Sequence, residues 1–146
     1  MPGLRTSLAF AEVDGEIYAV AIDDFRVVGR VREPMITIDG NLLRNEANAV
    51  VPMVMVNDPA DSSVVFTSNQ CRLEAAGQTP ALVLMAAPRI VAANNIVRRQ
   101  SDADAMRLTV GPNGTATVLG NITFGNIRVL PGGLNPPFAP LNVLAS

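Results

Sequence analysis

Apolar and polar positions alternate over short runs along much of this chain, and turn-forming residues cut the alternation at close intervals. Glu16-Ile17-Tyr18-Ala19-Val20-Ala21-Ile22 and Ala105-Met106-Arg107-Leu108-Thr109-Val110 are such runs, enriched in Val, Ile, Leu and Thr with only partial alternation, as in strands. The interruptions are Asp14-Gly15, Asp39-Gly40, Gly77-Gln78, Pro112-Asn113-Gly114 and Pro131-Gly132-Gly133. This rhythm predicts strands near residues 7–13, 16–22, 25–32, 50–57, 70–75, 81–87, 89–97, 104–110, 115–119 and 121–130.

Two hairpins are expected. Asp14-Gly15 provides positive φ at both central positions of a tight turn, and Gly111-Pro112-Asn113-Gly114 would join the Met106 strand to Thr115-Ala116-Thr117-Val118. Asp58-Pro59 looks like a helix start, an N-cap residue followed by proline at the first helical position, so a short helix is predicted through Phe66. The polar stretch 33–48 reads as a long loop. In Val51-Pro52-Met53-Val54-Met55-Val56 both faces of a strand are apolar, which implies burial on both sides, in a sandwich core or under another subunit. Residues 131–146 carry four prolines among Leu130, Leu134, Phe138, Leu141, Val143 and Leu144, the pattern of an extended apolar arm that needs a surface to cover.

Composition narrows the chemistry. The 146 residues include 11 Arg, no Lys, no His and no Trp, against 13 acidic residues. Without His there is no imidazole base, no His metal ligand and no Ser-His or Cys-His pair, and without Lys there is no Schiff base. Carboxylate chemistry is the main enzymatic option left. A formal net charge of −2 with scattered charges gives no basic footprint for nucleic acid. The single Cys71 cannot form an internal disulfide and reads as a small buried hydrophobe. The start of the sequence has no secretory pattern and no run reaches a membrane span, so manufacture in the cytoplasm is expected. The paired carboxylates Asp23-Asp24 and Asp102-Ala103-Asp104 could suggest a divalent-metal or acid/base site, but both fall where turns are expected, where Asp bonds its own backbone. No cofactor or metal is predicted.

Read in order, several segments resemble the tail tube proteins of contractile-tailed bacteriophages, the Mu-like branch in particular. The likeness runs through Phe10-Ala11-Glu12-Val13-Asp14-Gly15-Glu16, then Arg32-Glu33-Pro34-Met35-Ile36-Thr37-Ile38-Asp39-Gly40. It continues with Asn48-Ala49-Val50-Val51-Pro52-Met53-Val54-Met55-Val56-Asn57-Asp58-Pro59, and with Leu73 to Gly77, Ala81 to Ala87 and Ala105 to Val110. Residues 115–146 have no counterpart. The resemblance implies a mainly β fold: one β-sandwich or barrel domain over residues 1–130 with one short helix, and a Pro-rich arm over 131–146. Six subunits would close a ring-spanning β-barrel, and stacked hexameric rings would make a conduit for DNA ejection.

On that reading the protein is a structural virion protein, not an enzyme, assembled in the host cytoplasm. Its partners would be itself, the tail sheath, tape measure and baseplate proteins, with DNA passing through the lumen unheld and no membrane involved. Arg30, Arg32, Glu33, Arg44 and Glu46 are the expected inter-subunit contacts, because alternating charges on a long loop suit ion pairs that fix register, and Phe138 of the arm is another. The alternative is a capsid decoration protein forming small closed oligomers. A third reading is a carboxylate-dependent enzyme or small-ligand binding barrel using Asp23, Asp24, Asp102 and Asp104.

Overall fold

The computed structural model describes residues 8–21, 26–31, 34–46, 51–74, 79–99 and 103–145. The chain divides into two compact units, Met1–Pro34 and Met35–Ser146. In the first, β1 (Leu8–Val13), β2 (Glu16–Ala21) and β3 (Arg26–Val31) form an antiparallel sheet in that order. The expected first hairpin is present: Val13 faces Glu16 across Asp14 and Gly15, whose φ values are 52° and 77°. That is the doubly positive geometry a two-residue hairpin loop requires.

The second unit overturns the expected sandwich or barrel. Its strands pair in parallel and wind as a β-solenoid, in which each coil lays one strand on each of three sheets. The first coil is β4 (Met35–Asp39), β5 (Leu42–Asn45) and β6 (Val54–Asn57). The second is β7 (Ser63–Thr67), β8 (Gln70–Leu73) and β9 (Ala81–Ala86), and the third is β10 (Arg89–Ala93), β11 (Ile96–Arg98) and β12 (Asp104–Thr109). A fourth comprises β13 (Thr115–Leu119), β14 (Ile122–Phe124) and β15 (Asn126–Leu130), and β16 (Val143–Ala145) opens a fifth. The stacks run β4-β7-β10-β13, β5-β8-β11-β14-β16 and β6-β9-β12-β15, called here the first, second and third sheets. A strand thus pairs with the strand one full coil away and not with its neighbour in sequence.

Interior side chains stack in rows along the solenoid axis, as the registers require. Ile38, Phe66, Ala92 and Val118 form one row, Leu43, Cys71, Val97 and Thr123 another, and Val56, Met85, Leu108 and Val129 a third. Small Ala92 beside large Phe66 keeps the row filled without overlap; both are fully buried.

Several local expectations are corrected by this winding. No helix follows Asp58: residues 59–61 form a turn and Ser63–Thr67 is strand β7, where Val64 and Phe66 point inward and Val65 is half-buried. The β-branched pair Val64-Val65 suits a strand, and the pairing of β7 on both edges outweighs the N-cap signal. Gly111-Pro112-Asn113-Gly114 is not a hairpin, because β12 pairs with β9 and β15 while β13 pairs in parallel with β10. The stretch expected as the 33–48 loop holds β4 and β5, and the expected strands 89–97 and 121–130 are each broken by a corner. In the arm, Pro131 lies in one turn, Pro136 and Pro137 in a second, and Pro140 in a 3-10 turn at Ala139–Leu141, after which β16 joins β14 in parallel. The positions of Arg32, Glu33, Asp23, Asp24 and Asp102 lie outside the described residues.

Candidate functional site

The corner between the first and second sheets is built the same way in the first four coils. A residue in the left-handed region precedes an asparagine: Gly40 (φ 68°) before Asn41, Ser68 (56°) before Asn69, Asn94 (57°) before Asn95 and Gly120 (68°) before Asn121. That conformation is cheap for Gly and tolerated by Asn. It turns the asparagine side chains onto the ladder line, where Asn69, Asn95 and Asn121 are fully buried and Asn41 forms the exposed end.

These asparagines form a ladder along the axis. Asn69 donates its backbone N–H to Asn95 Oδ1 at 3.0 Å and its side-chain amide to the same oxygen at 3.1 Å and to the Ile38 carbonyl at 2.8 Å. Asn95 repeats this toward Asn121 Oδ1 (3.0 and 2.9 Å) and the Phe66 carbonyl (2.9 Å). Asn121 continues to Asn142 Oδ1 (3.2 and 2.8 Å) and the Ala92 carbonyl (2.9 Å). Each interior amide therefore uses both N–H donors, and its oxygen accepts two bonds. Only Asn does this at that reach: Asp lacks the donors, and Gln is one methylene too long. The ladder meets the rule that buried polar groups be paired, so the corner is a spine for stacking coils.

Immediately after each ladder asparagine the second sheet turns alternate residues outward. One outer row is Leu42, Gln70, Ile96, Ile122 and Val143; the next is Arg44, Arg72, Arg98, Phe124 and Ala145. Leu42 is 75% exposed and Val143 57%. Arg44 pairs with Glu46 at 3.0 Å and with Glu74 Oε1 at 3.1 Å, and Arg72 meets the same Glu74 oxygen at 2.6 Å. The Arg98 guanidinium lies 5.0 Å from the centroid of the Phe124 ring. The lateral face thus carries an arginine row beside a mainly aliphatic one.

A second charged group lies at the third sheet. Asp104, 2% exposed, accepts from Arg107 Nε at 2.8 Å and Arg128 Nε at 2.9 Å, both on Oδ2. Arg99 is buried and donates to the Asp104 carbonyl at 2.9 Å and the Thr79 carbonyl at 3.0 Å. Burial pulls its guanidinium below the usual value, and the Asp104 charge acts against that. Asp104 is thereby held as the anchor between β12 and β15. Cys71 is buried, and desolvation pushes its thiol up to about 11, so it stays protonated and unreactive near neutral pH.

Of the residues expected at subunit contacts, Arg44 on β5 and Glu46 just after it are brought together, where a long loop was expected. Arg30 lies on β3 opposite Tyr18. Phe138 is half-buried and lines a cleft of about 450 Å³ bounded by residues 110–117 and 129–135. Sequence reasoning missed Arg72, Glu74, Arg98 and Phe124, and the ladder itself. The signal was there: Asn-Leu-Leu-Arg at 41–44, Asn-Gln-Cys-Arg at 69–72 and Asn-Ile-Val-Arg at 95–98 recur at spacings of 28 and 26 residues. Among the described residues, no three His, Cys, Asp or Glu side chains come together to hold a metal ion, and no helix is long and apolar enough to cross a membrane. Comparison with protein-family models, curated proteins and solved structures gives no match.

Proposed function

We propose that this chain is a structural protein that acts by self-association, with a virion as the setting that the tail-tube resemblance implies. The observation that carries the reading is the state of the first and last coils. Among the described strands, β4, β5 and β6 at one end and β13, β16 and β15 at the other pair on one edge only. Large apolar side chains stand in solvent beside those edges: Met35 and Leu42 are each 75% exposed, Met55 is 66%, and Val143 and Leu144 exceed 50%. Unpaired strand edges flanked by apolar residues are templates for pairing with another chain.

The mode of assembly differs from the one first expected. A tube formed by barrel closure needs strands around an open lumen, whereas this solenoid encloses a filled core, so the proposal is association of solenoids through their terminal coils. Light scattering coupled to size exclusion, over a concentration series, tests it. Masses above the 15.4 kDa protomer that grow with concentration are expected, and a monomer at every concentration would overturn the reading. Electron microscopy of the same samples separates open-ended fibres or tubes from the small closed oligomers of a decoration protein.

A further inference from the structure

The arginine row of the second sheet is a stack of like charges. Neighbouring strands are about 4.8 Å apart, so in-register guanidiniums repel unless an anion lies between them. The chain supplies one for the first gap: Glu74 Oε1 bridges Arg44 and Arg72. The second gap, between Arg72 and Arg98, contains no carboxylate among the described residues. The sequence shows the same difference, since Arg44 and Arg72 are each followed two positions later by Glu46 and Glu74, whereas Arg98 is followed by Gln100. Arg98 is instead placed over Phe124 at 5.0 Å. A guanidinium held over a ring face keeps N–H donors available to an acceptor.

We propose that the Arg72–Arg98 gap binds a carboxylate from an acidic, aliphatic peptide segment of a partner protein. The carboxylate takes the place that Glu74 takes one coil earlier, and the flanking aliphatic residues lie on Ile96 and Ile122, which are 40% and 39% exposed. The aliphatic row decides for a peptide over an anionic saccharide: sugar rings stack on aromatic platforms, and Phe124 alone is aromatic in these rows, where aliphatic side chains match aliphatic ones. A second copy of this face is excluded as occupant, because two such faces would set arginine rows against each other. The site is lateral to the coil edges, so it stands or falls independently of self-association.

The test is an NMR titration of the full chain with acetyl-Glu-Leu-Glu-Leu-Glu-amide, following the arginine Nε–Hε resonances, with the all-Gln analogue and trigalacturonate as comparison probes. The Arg72 and Arg98 signals are expected to shift saturably with the acidic peptide alone. Arg98→Gln should weaken binding about ten-fold, the size of one charge-assisted hydrogen bond. Glu74→Gln, which frees the first gap, should strengthen it. Absence of a saturable shift, equal binding by Arg98→Gln, equal binding of the all-Gln peptide, or preference for trigalacturonate would each overturn the proposal.

Discussion

The two units of this chain make sheets by opposite means. In β1–β3 each strand pairs with the next in sequence, and Val13 meets Glu16 across two turn residues. In the solenoid Ser63 meets Arg89 and Arg89 meets Thr115, each 26 residues further on, with a whole coil between. The first arrangement is specified by its turn; the second needs something that repeats once per coil and fixes height along the axis. The asparagine ladder does this, because a one-residue slip would take a buried amide away from both its carbonyl and the next Oδ1. Local chemistry sets pairing in one region and periodic chemistry in the other.

The sharpest way to break that contrast is Asn95→Ala. It leaves the buried Asn69 N–H and one Asn69 amide donor without partners and removes the side-chain bond to the Phe66 carbonyl. A loss of about 2–5 kcal/mol in urea unfolding is expected, from two unsatisfied buried donors. Asn41→Ala removes an exposed end of the same ladder and should cost about 1 kcal/mol or less. Equal losses would show that the ladder is not what holds the coils.

Next in size is the pH response of the core. Cys71 has its thiol raised from 9.0 to about 11, so the folded state favours the neutral form. That contribution is fully present below about pH 9 and is lost as pH rises from 9 to 11, amounting to roughly 2–3 kcal/mol at 1.36 kcal/mol per unit. Wild type should therefore lose more stability than Cys71→Ala between about pH 8 and pH 10.5 in parallel urea titrations.

Smaller effects test the corners. Gly120→Ala puts a β-carbon at φ 68° against the Asn94 side chain and should cost about 1–2 kcal/mol of thermal stability. The matching change in the hairpin, Gly15→Ala at φ 77° in open space, should cost about 1 kcal/mol from the backbone alone. If the two are equal, close approach at the ladder corner contributes nothing.

The same contrast explains what could be read from the sequence. Strand content and the Asp14-Gly15 hairpin were legible because they depend on residues within a few positions. The Asp58-Pro59 helix start misled, since its local signal competes with the parallel pairing of β7 to β4 and β10, which no window of ten residues contains. Arg44 and Glu46 were singled out by charge alone, but their register with Arg72, Glu74 and Arg98 is visible only when segments are aligned on Asn41, Asn69 and Asn95. Asparagine passes for a loop residue in a linear reading, and here Asn69, Asn95 and Asn121 are fully buried.

The most direct test of the account is a nuclear Overhauser spectrum of the asparagine side-chain amides. Coils stacked on the ladder place the Asn95 amide protons beside Asn69 and Asn121 and leave them slow to exchange. Cross-peaks joining Asn69, Asn95 and Asn121 in series are the predicted result. Freely exchanging amides without contacts between residues 26 apart would contradict the solenoid and every argument built on its register.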